Sequence, residues 1–111
     1  MIKTIAFVKR KAGISREEFA RHYEEVHAPL AAKLFPTFRK YVRNHIVAVT
    51  SGPEPDFDCI SEFWFDDAEG YKAVLEVLNS EAGKVIHADE ETFMDTSHRV
   101  SFVVDERVSR L

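Results

Sequence analysis

The residues most able to do chemistry are one histidine and two tyrosines. Tyr23 and His27 lie one helical turn apart in the segment SREEFARHYEEVHAPLAAKLF, and Tyr41 follows in FRKYVRNHIVAV. An unperturbed imidazole titrates near pH 6.5, so His27 is a candidate general acid or base, with Tyr23 able to share its site. At about 100° per residue His27 falls roughly 60° from the centre of the apolar stripe made by Phe19, Tyr23, Val26, Leu30 and Leu34. That boundary position equally suits a half-buried histidine satisfying the carbonyl freed by Pro29.

In the second predicted strand, parity puts Tyr41, Arg43 and His45 on one face and Val42, Asn44 and Ile46 on the other. The first trio offers a phenol, a cation and an imidazole if it faces a cleft, and is an ordinary polar strand face if it meets solvent. Asn44 is a further candidate for binding a carbonyl should a bulge shift the parity. Glu62 is the most anomalous residue, because it alternates with Ile60 and Trp64 on a strand that ought to be buried. Pairing with Arg43 or a histidine would make it structural, whereas a raised pKa would let it exchange protons with a ligand. Trp64 and its apolar neighbours would wall the site. His87 and Asp89, in an acidic helical stretch, read as surface residues.

Other chemistries find little support. His22 and His27 are five residues apart and do not share a helix face, and no H-x-x-x-H or carboxylate triad occurs, so no metal is expected. There is no glycine-rich phosphate loop and no G-x-S-x-G, so no cofactor is expected. Lys and Arg number 15 against 19 Asp and Glu, a net charge of -4 that disfavours nucleic acid as a partner. The lone Cys59 excludes an internal disulfide and fits a reducing compartment. With no signal-peptide pattern at the start and no long apolar run, the expectation is a cytoplasmic protein without a membrane partner.

The elements that must hold these residues follow from periodicity and punctuation. Residues 2 to 10 read as a strand ending at Lys11-Ala12-Gly13. Ser15 and Glu18 form an S-x-x-E capping box that starts a helix, Pro29 kinks it, and Pro36 stops it. Strands are expected over 38–49, 58–65 and 98–105, and a second helix capped by Asp66 or Asp67 carries Tyr71, Val74, Leu75 and Leu78 on one face. Val85, Ile86 and Phe93 hint at a further short helix within 81–95. The 111 residues thus form one domain, 1–111, of β-α-β-β-α-β order: an α+β, ferredoxin-like antiparallel sheet with helices on one face. The other face would be a bare apolar patch, cheaply covered by a second copy, which predicts a homodimer with a cleft between the two sheets.

Four segments, KRKAGISREEFARHYEEVHAPLAAKL, FRKYVRNHIV, FDCISEFWFDD and DEETFMD, resemble EthD-domain proteins of the dimeric α+β barrel superfamily. The Y-x-x-x-H-A-P-L helix followed by a Y-x-x-N strand carries most of that resemblance. It implies a homodimer with one pocket per barrel half and attention to His27, Tyr41 and Asn44. Lactone-isomerase-like members imply a catalytic helix histidine at the position of His27 and a strand tyrosine at that of Tyr41.

Together these readings favour a cofactor-independent lyase or isomerase acting on a small cyclic or aromatic carbonyl compound. The catalytic set is His27, Tyr41 and Glu62; the binding set is Tyr23, Arg43, Asn44, His45 and Trp64. One alternative is a non-catalytic module that binds a small hydrophobic metabolite; another is a haem-binding or oxygen-using member of the same superfamily.

Overall fold

The computed structural model describes residues 1–111. Strand β1, Ile2–Val8, leads into helix α1, Arg16–His22, whose start is fixed by Ser15 accepting a hydrogen bond from the Glu18 N–H. A π-helical turn, Tyr23–His27, joins α1 to α2, Ala28–Leu34. Strands β2, Lys40–His45, and β3, Cys59–Phe65, precede α3, Ala68–Leu78, which Asp67 caps through the Gly70 N–H. Helix α4, Gly83–Phe93, and a single 3₁₀ turn, Thr96–His98, lead into β4, Val100–Val104.

The π-helical turn is the fold's answer to Pro29. Proline has no N–H to give the Glu25 carbonyl, so a regular helix would be broken there. Widening the preceding turn, so that the Ala28 N–H reaches the Tyr23 carbonyl, keeps the helix continuous. The wider turn also carries His27 past the predicted boundary to full burial, with 4% of its surface exposed.

All pairings in the four-stranded sheet are antiparallel, in the order β2-β3-β1-β4. Non-sequential neighbours β1 and β3 occupy the centre, as in ferredoxin-like folds. Parity divides the sheet's residues cleanly. Thr4, Ala6, Val8, Cys59, Ser61 and Phe65 lie buried beneath the helices with Phe19, Tyr23, Phe93 and Ile86. Ile5, Phe7, Val42 and Ile60 point the other way and are only half-buried, beside the exposed Val100 and Phe102. No helix covers that side, and Phe57 is the one aromatic folded over it, stacking on Phe7 at 4.5 Å between centroids.

The further helix expected within 81–95 is α4, with eleven residues. Its first residue has to be glycine, because a Cβ on Gly83 would sit 2.5 Å from the Leu78 and Val77 carbonyl oxygens. That close approach folds α4 back against α3 and turns its apolar stripe inward. No helix is long and apolar enough to cross a membrane.

Candidate functional site

Ala6 pairs with Ser61 on one side and with Ser101 on the other, a row of small side chains across the helix face of three strands. The helices rest on bulkier neighbours around this row, and a cavity of about 360 Å³ is left between helices and sheet. This size falls in the range of roughly 300–1,000 Å³ usual for small-molecule pockets. Hydrophobic residues supply 17 of the 22 that line it, including Phe35, Phe38, Phe63, Phe65 and Val74. This cavity lies within one chain, under its own helices, on the opposite side of the sheet from the bare face where a cleft between two copies was expected, and the small residues Thr4, Ala6 and Ser101 of β1 and β4 are part of its floor.

His27 and Tyr23 enter this cavity from the π-helical turn, and Tyr41 from β2. His27 Nδ1 lies 2.8 Å from Asp89 Oδ2 on α4. A carboxylate only accepts, so Nδ1 carries the proton and a neutral ring keeps its lone pair on Nε2. Nε2 has no partner in the protein, and the ring borders the cavity. Burial lowers the His27 pKa from its ordinary value, and the hydrogen bond to Asp89 opposes that only in part, so the ring is neutral at pH 7. The carbonyl-capping alternative is set aside by this geometry, since the ring's partner is a carboxylate from another helix. Asp89 also reaches His22 Nε2 at 2.9 Å through its other oxygen.

The two phenols form a chain. Tyr41 Oη donates to Tyr23 Oη at 3.1 Å, and Tyr23 Oη lies 2.6 Å from Ser61 Oγ. Burial pushes the Tyr23 hydroxyl up to about 12 and the Tyr41 hydroxyl far above its ordinary value. Both keep their protons throughout the physiological range and act as hydrogen-bond donors. Tyr41 packs flat on Phe63, with centroids 4.8 Å apart, which fixes the ring at the cavity wall.

Glu90 and Arg99 supply the rest of the polar lining near His27. Glu90 is 6% exposed, and its Oε2 accepts from Arg99 Nη1 at 2.6 Å. Its Oε1 faces His87 Nδ1 at 3.2 Å, while His87 Nε2 sits 3.0 Å from the Leu78 carbonyl oxygen.

The other residues singled out from sequence lie elsewhere. Arg43 and His45 share the helix face with Tyr41 but turn to the β2 edge, where both bind Glu24. Arg43 and His45 together hold the Glu24 carboxyl down at about 2, the Arg43 hydrogen bond having the larger effect. Glu62, Asn44 and Trp64 are on the opposite side of the sheet from the cavity. The expected partners of Glu62 are also corrected: Lys3 Nζ is 2.8 Å away and Asn44 Nδ2 donates at 2.9 Å. The Lys3 hydrogen bond, helped by Asn44, lowers the Glu62 pKa from its ordinary value, the opposite direction from that of a proton-exchanging acid. Trp64 stacks under Lys3, 4.4 Å from its ring centroid.

Asp89 was read as a surface residue and is instead the anchor of His27. Its signal is present in the sequence: Asp89 and Glu90 stand three and four residues after Ile86, and four and three before Phe93, along the buried stripe of α4.

A ferredoxin-like sheet with helices on one face and a histidine–tyrosine cavity beneath them defines a class of small α+β domains. Residues 11–97 match the EthD domain model, and the chain belongs to the EthD domain family. A protein of Claviceps purpurea described as a decarboxylase is 29% identical, covering 86% of this chain and 81% of that protein. An EthD family protein from Bacillus halodurans has the same fold, with a TM-score of 0.68 and 23% identity over 96% of this chain and all of that one. A protein from Bacteroides fragilis, described as dimeric with a ferredoxin-like fold, superposes with a TM-score of 0.63 at 13% identity, covering 95% of each chain. Family, relative and cavity together support a catalytic or binding role toward a small molecule.

Proposed function

We propose that this protein is a cofactor-independent lyase or isomerase that moves a proton in a small cyclic or aromatic carbonyl compound. The observation that carries this reading is His27: neutral, with Nδ1 tied to Asp89 and Nε2 unpartnered at the wall of an apolar cavity. A base in that state removes a proton from the carbon next to a carbonyl and returns it elsewhere as the acid. The charge then develops on the carbonyl oxygen. Tyr41 can stabilise it by turning its hydroxyl from Tyr23 to the substrate, which costs one exchangeable hydrogen bond. Phe35, Phe38 and Phe63 exclude water from the ring system. The decarboxylase description of the Claviceps relative supports carbanion chemistry of this kind.

In this reading Glu62, Asn44 and Trp64 serve a different purpose. They sit on the bare sheet face, and we propose that a second copy packs there across a two-fold axis. Exposed Phe102 and Val100 beside half-buried Phe7 and Ile5 make a patch of the kind that marks an interface. A single buried thiol, Cys59, suits a reducing compartment, and the cytoplasm is the proposed location.

The test is a panel of cyclic and aromatic carbonyl compounds assayed for turnover with wild-type protein and His27→Asn. Turnover that falls at least about a hundredfold in the variant, with ligand binding retained, supports the reading. Turnover that survives in His27→Asn overturns it, and binding without any turnover favours a carrier.

A further inference from the structure

Arg99 is the one side chain of permanent positive charge lining the cavity. It immediately precedes β4 and shares parity with Ser101 and Val103, which also face the cavity. Of the five N–H donors on a guanidinium, only one on Nη1 is engaged, by Glu90 Oε2. Nε and Nη2 have no partner in the protein. Glu90, by contrast, has both oxygens committed, one to Arg99 and one to His87. The carboxylate thus holds the guanidinium in place while leaving most of its donor fork open. The same cluster lines the cavity together with the base, His27.

We propose that Arg99 anchors a carboxylate of the substrate, so that the ligand is an acid: an aromatic or cyclic carbonyl compound with an ionised carboxyl group at the Arg99 end. This deepens the proton-transfer reading and rests on the cavity being the ligand site. A planar guanidinium fork matches a carboxylate in two parallel hydrogen bonds, a geometry lysine cannot reproduce. The ring system then lies among Phe35, Phe38 and Phe63, with its activated carbon toward His27.

The experiment compares 2-naphthoate with its methyl ester as probes, by calorimetry and thermal shift, on wild-type protein, Arg99→Gln, Arg99→Lys and Ser101→Trp. The wild type is expected to bind the acid more tightly than the ester. Arg99→Gln should lose about tenfold to a hundredfold affinity for the acid, the equivalent of one charged hydrogen-bonding interaction, and leave the ester unchanged. Arg99→Lys should recover only part of the loss. Retained ester binding shows that Arg99→Gln is folded; should it not fold, the wild-type preference for acid and the Arg99→Lys loss still decide. Equal wild-type affinity for acid and ester, failure of both probes to bind at millimolar concentration, or an acid preference that persists in Arg99→Gln each overturns the proposal. Ser101→Trp, which fills the cavity beside β4, separates the two levels of inference. If it excludes both probes while Arg99 has no effect, the cavity stands and only the anchor falls; if both still bind, the cavity reading falls as well.

Discussion

Replacing Asp89 with asparagine removes one negative charge and one good acceptor from His27 Nδ1, at a site where the carboxylate is mostly buried and 2.8 Å away. When His27 takes a proton on Nε2, the imidazolium is stabilised by that carboxylate. A hydrogen bond to a charged group contributes about 1.5–3 kcal/mol, so its loss slows proton abstraction roughly tenfold to 150-fold. The Asp89 hydrogen bond raises the His27 pKa against the larger, opposite effect of burial, so Asp89→Asn shifts that pKa further down. The asparagine amide can also donate to Nδ1, which would move the ring proton to Nε2 and remove the base altogether. Nitrogen-15 NMR of the imidazole reads both consequences, the tautomer from the shifts and the direction of the pKa change from a pH titration. His22 shares Asp89, so His22→Gln is the control and should leave the His27 tautomer as it is. A wild-type ring protonated on Nε2 at neutral pH, or a His27 pKa that rises in Asp89→Asn, would refute the reasoning.

Three further outcomes follow from the same structure. Glu24 has a folded-state pKa of about 2 against an ordinary 4.5, so it contributes stability above pH 4.5 that is lost as pH falls toward 2; Glu24→Gln should flatten that limb of a melting-temperature profile. Gly83→Ala places a methyl group 2.5 Å from two carbonyl oxygens, and denaturant unfolding should show a loss of about 1–3 kcal/mol as α4 is pushed off α3. Phe7→Asp, on the open sheet face where Phe7 meets Phe57 and Phe102, should leave a folded monomer in sedimentation while the wild type sediments as a dimer.

Much of the fold was legible because it is written in local signals. Ser15 caps the helix it was expected to cap, Asp67 is the one of the two aspartates offered that caps α3, and the β-α-β-β-α-β order is that of the ferredoxin-like sheet observed. Parity correctly joined Tyr41, Arg43 and His45 on β2, and Glu62 with Trp64 on β3. What parity cannot say is which face the helices cover. The site was accordingly expected in a cleft between two sheets, and the cavity found within this chain lies on the other side of the sheet, under the helices, beside Ala6 and Ser101. Long-range register was equally hidden. Lys3 reaches Glu62 only because β1 lies beside β3, where Lys3 pairs with Trp64 and Ile5 with Glu62, residues far apart on the chain. The π-helical turn was visible only as a proline inside a helical pattern, and its widening decides that His27 is buried. Asp89 was passed over because its stripe position was outweighed by the acidic residues around it.

The central claim is that neutral His27 abstracts a proton inside the cavity. Deuterium wash-in next to the carbonyl of a bicyclic ketone such as 2-tetralone, followed by proton NMR in heavy water, tests it without requiring the natural substrate. The account predicts catalysed exchange by the wild type above the buffer rate, falling to the buffer rate in His27→Gln, with the ketone still bound. Exchange that is unchanged in His27→Gln, or bound ketone that exchanges no faster than in buffer, would contradict it.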